Sequence, residues 1–272
     1  MSRAPRHPWL RSAANIALIA VLLVAVSFLP PDNSLAEVQG TGALKLCVPE
    51  SYPPLVQADP AAPGFDVELA RLIAEELGVR LVVNVMPSIG RDFNPRNWGL
   101  TRAQCNMIAG GVADTVQTRN FLQTLPTPAE TGWVGLSAGG ATPAAGGTWA
   151  VWPGTSGLDR LALSGWLRET GVRARLVQSP AELRQLLESG EVDGAIMERF
   201  ASTTIAMGDG YQLFWLPVDG FGRFRMAFGL WKGDQTLYRA VRAAMEKLDQ
   251  SSAVYFIGSR YGLGEQIGSR SQ

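Results

Sequence analysis

Histidine is almost missing from this sequence: its 272 residues include one, His7. That residue lies in an N-terminal segment built like an export signal, so the rest of the chain has no imidazole. Ser-His-Asp and Cys-His catalysis, His-ligated zinc and histidine acid–base chemistry are excluded together. Cysteine is nearly as scarce, with Cys47 and Cys105 alone. Two thiolates do not build a metal site; in an oxidising compartment they either pair as a disulfide or stay as two buried thiols. Charge of one sign is lacking too. After residue 36 there are 21 Lys and Arg (24 minus Arg3, Arg6 and Arg11) against 23 Asp and Glu (24 minus Asp32). A net charge near minus two, with no basic block, argues against nucleic acid or an anionic membrane as the main partner. Nor is any apolar run after Leu29 long enough to span a bilayer.

What the N-terminus does contain is Arg3, Arg6 and Arg11, an apolar run from Ala13 to Leu29, and a polar stretch ending in Ser34-Leu35-Ala36. Small residues at 34 and 36 suit a signal peptidase, which makes 1–36 a signal peptide cleaved after Ala36. An uncleaved anchor is the alternative, although the run is short for a spanning helix. On either reading the remainder lies outside the cytoplasm. Its 236 residues (272 minus 36) suffice for one large domain or two ordinary lobes.

From Leu44 onward strands alternate with amphipathic helices. A strand from Leu44 to Val48 leads through Pro49 to Pro54 to a helix after Gly64, with Val67, Leu69, Leu72, Ile73 and Leu77 at helical spacing and a stop at Gly78. Strands follow at Arg80 to Met86 and Cys105 to Ala109. The stretch Gly139 to Gly147 reads as a linker or lobe boundary. A second unit then repeats the plan: a strand at Thr148 to Trp152, a helix at Leu158 to Thr170 burying Leu161, Leu163, Trp166 and Leu167, and a strand at Arg175 to Val177. Ser179-Pro180-Ala181-Glu182 is a capping box with Pro at the first helical position, and Val192 to Met197 is again a strand. A strand through Met226 to Trp231 and two helices finish the chain.

In open parallel sheets ligands bind beyond the carboxyl ends of the strands. Glu50-Ser51-Tyr52, the loop from Gly110 to Arg119 with Gly111 and Asp114, Thr155-Ser156, and Glu198 all fall there, two clusters from each half. Thr155 and Ser156 precede a helix and offer amides and hydroxyls to a carboxylate, or simply cap it. Arg119 can clamp a carboxylate in two hydrogen bonds, Glu198 offers the opposite charge, and Tyr52 offers a ring to cover the ligand. Each also has a plain structural reading as a solvated or packed side chain.

Together these segments resemble the bacterial extracellular solute-binding proteins of family 3, the polar amino-acid-binding proteins of ABC transporters. The resemblance rests on the order of Tyr52-Pro53-Pro54, Gly64-Phe65-Asp66-Val67-Glu68-Leu69-Ala70, Gly110 to Arg119, Gly154-Thr155-Ser156-Gly157, Glu191 to Ala195 and Trp231-Lys232-Gly233-Asp234. It implies an α/β fold of the two-lobed, periplasmic-binding-protein-like type II, each lobe an open, mostly parallel sheet flanked by helices. The first lobe would comprise 37–137 and 225–272, the second 138–224, with crossing strands near Trp133 to Ser137 and Arg225 to Leu230. It further implies a monomer that binds a small molecule without a cofactor or a reaction. In it, Arg119, Thr155 and Ser156 would hold the ligand carboxylate, Glu198 its ammonium, and Tyr52 would line the cleft. An ABC permease is the expected partner. Two departures stand out: Val116-Gln117-Thr118-Arg119 replaces the usual Thr-Pro-Glu-Arg, and Arg91 to Gln104 does not match the ordinary family helix. Cys47 and Cys105 are placed as in a subgroup associated with periplasmic quinoprotein alcohol dehydrogenases, where an accessory role is the alternative; a periplasmic dehydratase on the same fold is a third. In the strand order 2-1-3 the two cysteines fall on neighbouring strands.

Overall fold

The computed structural model describes residues 8–27, 31–90, 94–152, 158–205, 207–208, 210–217 and 221–264. Residues up to Asn33 form one compact unit, whose helix is α1 (Pro8–Ser27), and Ser34 onward forms another. Among the described residues no helix is long and apolar enough to cross a membrane. The second unit runs α2 (Ser34–Thr41), β1 (Ala43–Val48), α3 (Phe65–Glu76), β2 (Arg80–Val85), β3 (Met107–Ile108), α4 (Val116–Phe121) and β4 (Leu122–Thr131). It continues with β5 (Trp133–Ala138), β6 (Thr148–Trp152), α5 (Arg160–Glu169), β7 (Arg173–Leu176), α6 (Pro180–Ser189), β8 (Gly194–Glu198) and β9 (Tyr211–Trp215). Last come β10 (Phe224–Trp231), α7 (Gln235–Gln250) and α8 (Ala253–Arg260).

The strands form two five-stranded sheets of matching plan, β2-β1-β3-β10-β4 and β7-β6-β8-β5-β9. In each, the first three strands are parallel and the fourth runs antiparallel to both of its neighbours. The fourth place in each sheet is taken by a strand that has just arrived from the other lobe. The chain crosses at Gly132, between β4 and β5, and returns between β9 and β10. Strand β5, where a crossing strand was expected, pairs only with β8 and β9, so the chain has passed to the second sheet by Trp133. Gly139 to Gly147 is accordingly not a lobe boundary but a turn within the second lobe, held by Ser137 Oγ–H donating to Ala141 O at 2.7 Å and Gly139 N–H to Gly210 O at 2.9 Å.

Helix ends follow local rules. Ser179 Oγ accepts from Glu182 N–H at 3.2 Å, and Glu182 reaches back to Gln178 N–H at 2.9 Å, one residue beyond the expected partner. Helix α5 starts at Arg160, capped by Asp159, and buries Leu163 and Leu167. Leu161, expected inside, is 85% exposed. Two residues from Leu163, it turns about 200° away on a 3.6-residue helix.

The first sheet is covered differently on its two faces. Strand β1 alternates: Leu44, Leu46 and Val48 join a core with Phe65, Leu69, Ile73, Leu237, Val241 and Leu248 from helices α3 and α7. Cys47 points to the other face, among Ile89, Trp98, Cys105, Ile108, Val112 and Leu122. There the described chain offers only a single 3₁₀ turn, Pro95–Trp98. A Cys47–Cys105 disulfide, with Cα atoms 5.5 Å apart, ties this irregular segment to the sheet. Trp231 Nε1–H donates to Cys105 O at 2.8 Å and Ser88 Oγ–H to Trp98 O at 2.6 Å.

The cross-link spans 58 residues. Closing a loop of that size removes unfolded-state entropy worth about 4 kcal/mol. Replacing both cysteines by Ser should lower unfolding free energy by about that amount in urea titrations. A loss below about 1 kcal/mol would show that packing alone holds this face.

Candidate functional site

The carboxyl ends of β1, β2 and β3 open onto a cavity of about 360 Å³, lined by Pro49, Glu50, Ser51, Tyr52, Ala58, Pro87, Ile89, Gly90 and Gly110. All of these belong to the first lobe. The Tyr52 backbone is fixed by a short bridge to Val56, with N–H···O distances of 2.8 and 3.0 Å. Gly110 has a left-handed φ of 68°, and a Cβ there would meet Val56 Cγ2 at 2.3 Å. Gly111 is buried against Gly90, whose Cα a Cβ would approach to 2.7 Å, so Gly111 shapes the wall from behind.

Beneath the cavity lies Asp66, fully buried at the start of α3. Its Oδ2 accepts from Gly110 N–H at 2.9 Å, while Oδ1 has no partner among the described residues. Burial pushes its carboxyl up to about 7, against the Gly110 hydrogen bond.

Glu198 ends β8 in the second lobe and is 2% exposed. Its Oε1 accepts from Thr131 Oγ1–H at the crossing and from Tyr52 Oη–H at 3.4 Å; Oε2 accepts from Ala201 N–H at 2.8 Å. Burial raises its carboxyl above the usual range, opposed by these donors. The Tyr52 hydroxyl is held well above its ordinary value by burial first and the Glu198 charge second. Two residues on, Phe200 from the second lobe packs into the first lobe's core and meets the Tyr52 ring edge-on, centroids 5.7 Å apart.

Of the residues singled out from the sequence, Tyr52 lines the cavity, Gly111 packs behind its Gly90 and Glu198 reaches the Tyr52 hydroxyl from the second lobe. Asp114 and Arg119 come together elsewhere on the first lobe. Arg119 Nε is 3.6 Å from Asp114 Oδ1, which also accepts from Thr124 Oγ1–H at 2.6 Å. Arg119 lines a separate depression of about 350 Å³ with Leu122, Gln123, Thr124, Lys232 and Gln235. Thr155 and Ser156 lie outside the described residues. Thr131 and Phe200 were not selected, because nothing local in their sequence marks the contacts they make. Asp66 was visible only as part of a helix start. Among the described residues no group of His, Cys, Asp or Glu is placed to hold a metal.

Two lobes of one α/β plan, joined by two crossings, with a cavity beside them, define a two-lobed periplasmic-binding-protein fold. The particular family follows from the sequence: the profile of bacterial extracellular solute-binding proteins, family 3, matches residues 44–264, and the chain belongs to that family. Among solved structures, an ancestral cationic amino acid solute-binding protein is similar at 16% identity and a TM-score of 0.64, covering 84% of this chain and 99% of its own. A substrate-binding protein of an ABC uptake transporter from Streptococcus pneumoniae, with bound histidine, is similar at 19% and 0.60, covering 85% and 96%. A mutant arginine-binding protein, ArgBP from T. maritima, matches at 20% and 0.57, covering 84% and 98%. A search of curated protein sequences finds no match.

Asp66 gives this site a pH signature. With a folded value near 7 against 3.8 for the free group, its contribution to stability is fully present below about pH 4 and is lost as pH rises through about 7. Asp66→Asn keeps the acceptor for Gly110 and removes the titration. Glu198 titrates equally in parent and variant and cancels. Stability of the variant relative to the parent should therefore rise by about 1.4 kcal/mol per pH unit within that window. Urea unfolding at pH 5 and pH 7 measures it, and an unchanged difference would contradict a buried, proton-holding Asp66.

Proposed function

We propose that this protein captures a small, amino-acid-like ligand bearing a positive charge at the Tyr52 wall, and that an ABC transporter reads the resulting lobe closure. The observation that carries this reading is the double position of Tyr52, which lines the first-lobe cavity while its hydroxyl meets Glu198 of the second lobe. A ligand resting on Tyr52 alters the contact between lobes, and a binding event drives closure only through such differential contacts. Glu50 supplies a carboxylate to this wall, which favours an ammonium or guanidinium group. The names of the similar solved proteins, with cationic amino acids and histidine among their ligands, support the same class. The resemblance alone assigns the ligand carboxylate to Arg119, with Thr155 and Ser156; Arg119 itself lines the separate depression beside Gln123 and Lys232. The Arg119 side chain is 55% exposed, and its guanidinium becomes available when a carboxylate replaces Asp114. No reaction is assigned: the cavity wall offers one carboxylate and one phenol, without imidazole or thiol.

A second reading, an accessory protein of a periplasmic quinoprotein dehydrogenase, is favoured by the disulfide between β1 and the approach to β3. It needs no ligand in the cleft.

A thermal-shift screen with arginine, lysine, histidine and glutamine separates the two, since a native-state ligand raises the melting temperature by mass action. The binding reading expects at least one of them to do so, with a fall in radius of gyration in solution scattering. In calorimetry with that ligand, Arg119→Ala should cost about 2 kcal/mol or more, because a ligand charge is left unpaired. No stabilising ligand would favour the accessory reading. Unchanged affinity in Arg119→Ala would remove the carboxylate assignment alone.

A further inference from the structure

Helix α2 is built into the first lobe by its first two residues. Leu237 N–H of α7 donates to Ser34 Oγ at 3.3 Å, Leu35 N–H donates to Thr236 Oγ1 at 3.3 Å, and the two hydroxyls are 3.0 Å apart. Each hydroxyl thus serves the N-terminus of the other helix, where backbone donors lack intrahelical acceptors. Leu35 packs against the core that contains Val38, itself 1% exposed, and the compact body begins at Ser34. A cut after Ala36, as the Ser34-Leu35-Ala36 pattern suggests, removes both caps and the Leu35 contact. It also leaves a new ammonium group at the start of the shortened helix, where the dipole disfavours positive charge.

We propose that the export leader is instead removed after Ser27, so that residues 34–36 stay with the folded protein. Ala25 and Ser27 present the same small-x-small pattern to a signal peptidase, at the point where α1 ends. Arg3, Arg6 and Arg11 precede it as the charged part, and Ile16 to Val24 falls within the about 7–15 apolar residues of such leaders. Of two sequence-equivalent cut points, one lies inside a helix packed into the folded lobe and the other at the end of α1.

The full precursor, expressed in a bacterium with a periplasm and purified from it, gives the test by intact mass. A mature chain beginning at Phe28 is expected; one beginning at Glu37, or at Met1, overturns the proposal. Two variants probe the recognition. Ala36→Trp, at an exposed position of α2, should leave processing unchanged, whereas Ser27→Trp should accumulate precursor. The reverse pattern overturns the assignment. In the purified mature protein, Ser34→Ala and Thr236→Val should each lower the melting temperature, and an unchanged value in both would refute the structural premise.

Discussion

A carboxyl group taken out of water must be hydrogen-bonded, paired or protonated, and Glu198 meets that requirement with donors from three parts of the chain. Thr131 comes from the strand that is about to leave the first lobe, Tyr52 from the loop after β1, and Ala201 from the turn following Glu198 itself. The two lobes are therefore tied beside their crossing by one desolvated acid, with Phe200 packed into the first lobe two residues later. Separating Tyr52 from Glu198 removes a donor from a group that water cannot reach.

The first lobe supplies the wall against which this contact works. On one face its sheet is held by α3, α7 and α8, as ordinary amphipathic helices would hold it. On the other, an irregular segment without a full helix is tied down by the Cys47–Cys105 disulfide and carries Pro87, Ile89 and Gly90 to the cavity. Gly111 packs directly against Gly90, so the disulfide-bound segment and the loop after β3 share one rigid edge.

Much of this was legible in the sequence, and the exceptions have physical causes. Helices α3, α6 and α7 announced themselves through periodic apolar residues and a capping box, and the disulfide through two cysteines on strands expected to be neighbours. Strand β4 was missed because Pro126 and Pro128 discourage a strand reading; it lies at the sheet edge, where a missing amide donor is tolerated. Gly139 to Gly147 has linker composition but forms a turn beside β5, whereas the chain passes between the sheets at Gly132, next to the crossing strand expected at Trp133 to Ser137. Glu198 was recognisable as an acid at a strand end. Its burial was not, since that depends on Thr131 and Tyr52, 67 and 146 residues away. Arg119, expected at the end of a loop, lies on helix α4, and the depression it lines is formed with Lys232 and Gln235 from much later in the chain.

The central claim is that Tyr52 and Glu198 act as one unit that transmits ligand binding between lobes. A double-mutant cycle on ligand affinity, using Tyr52→Phe, Glu198→Gln and the pair, with the best ligand from the amino-acid screen, measures it most directly. Coupling predicts that the two effects fail to add by about 0.5 kcal/mol or more. Effects that add to within about 0.3 kcal/mol would mean that the residues act separately and that the contact between them does not carry the signal.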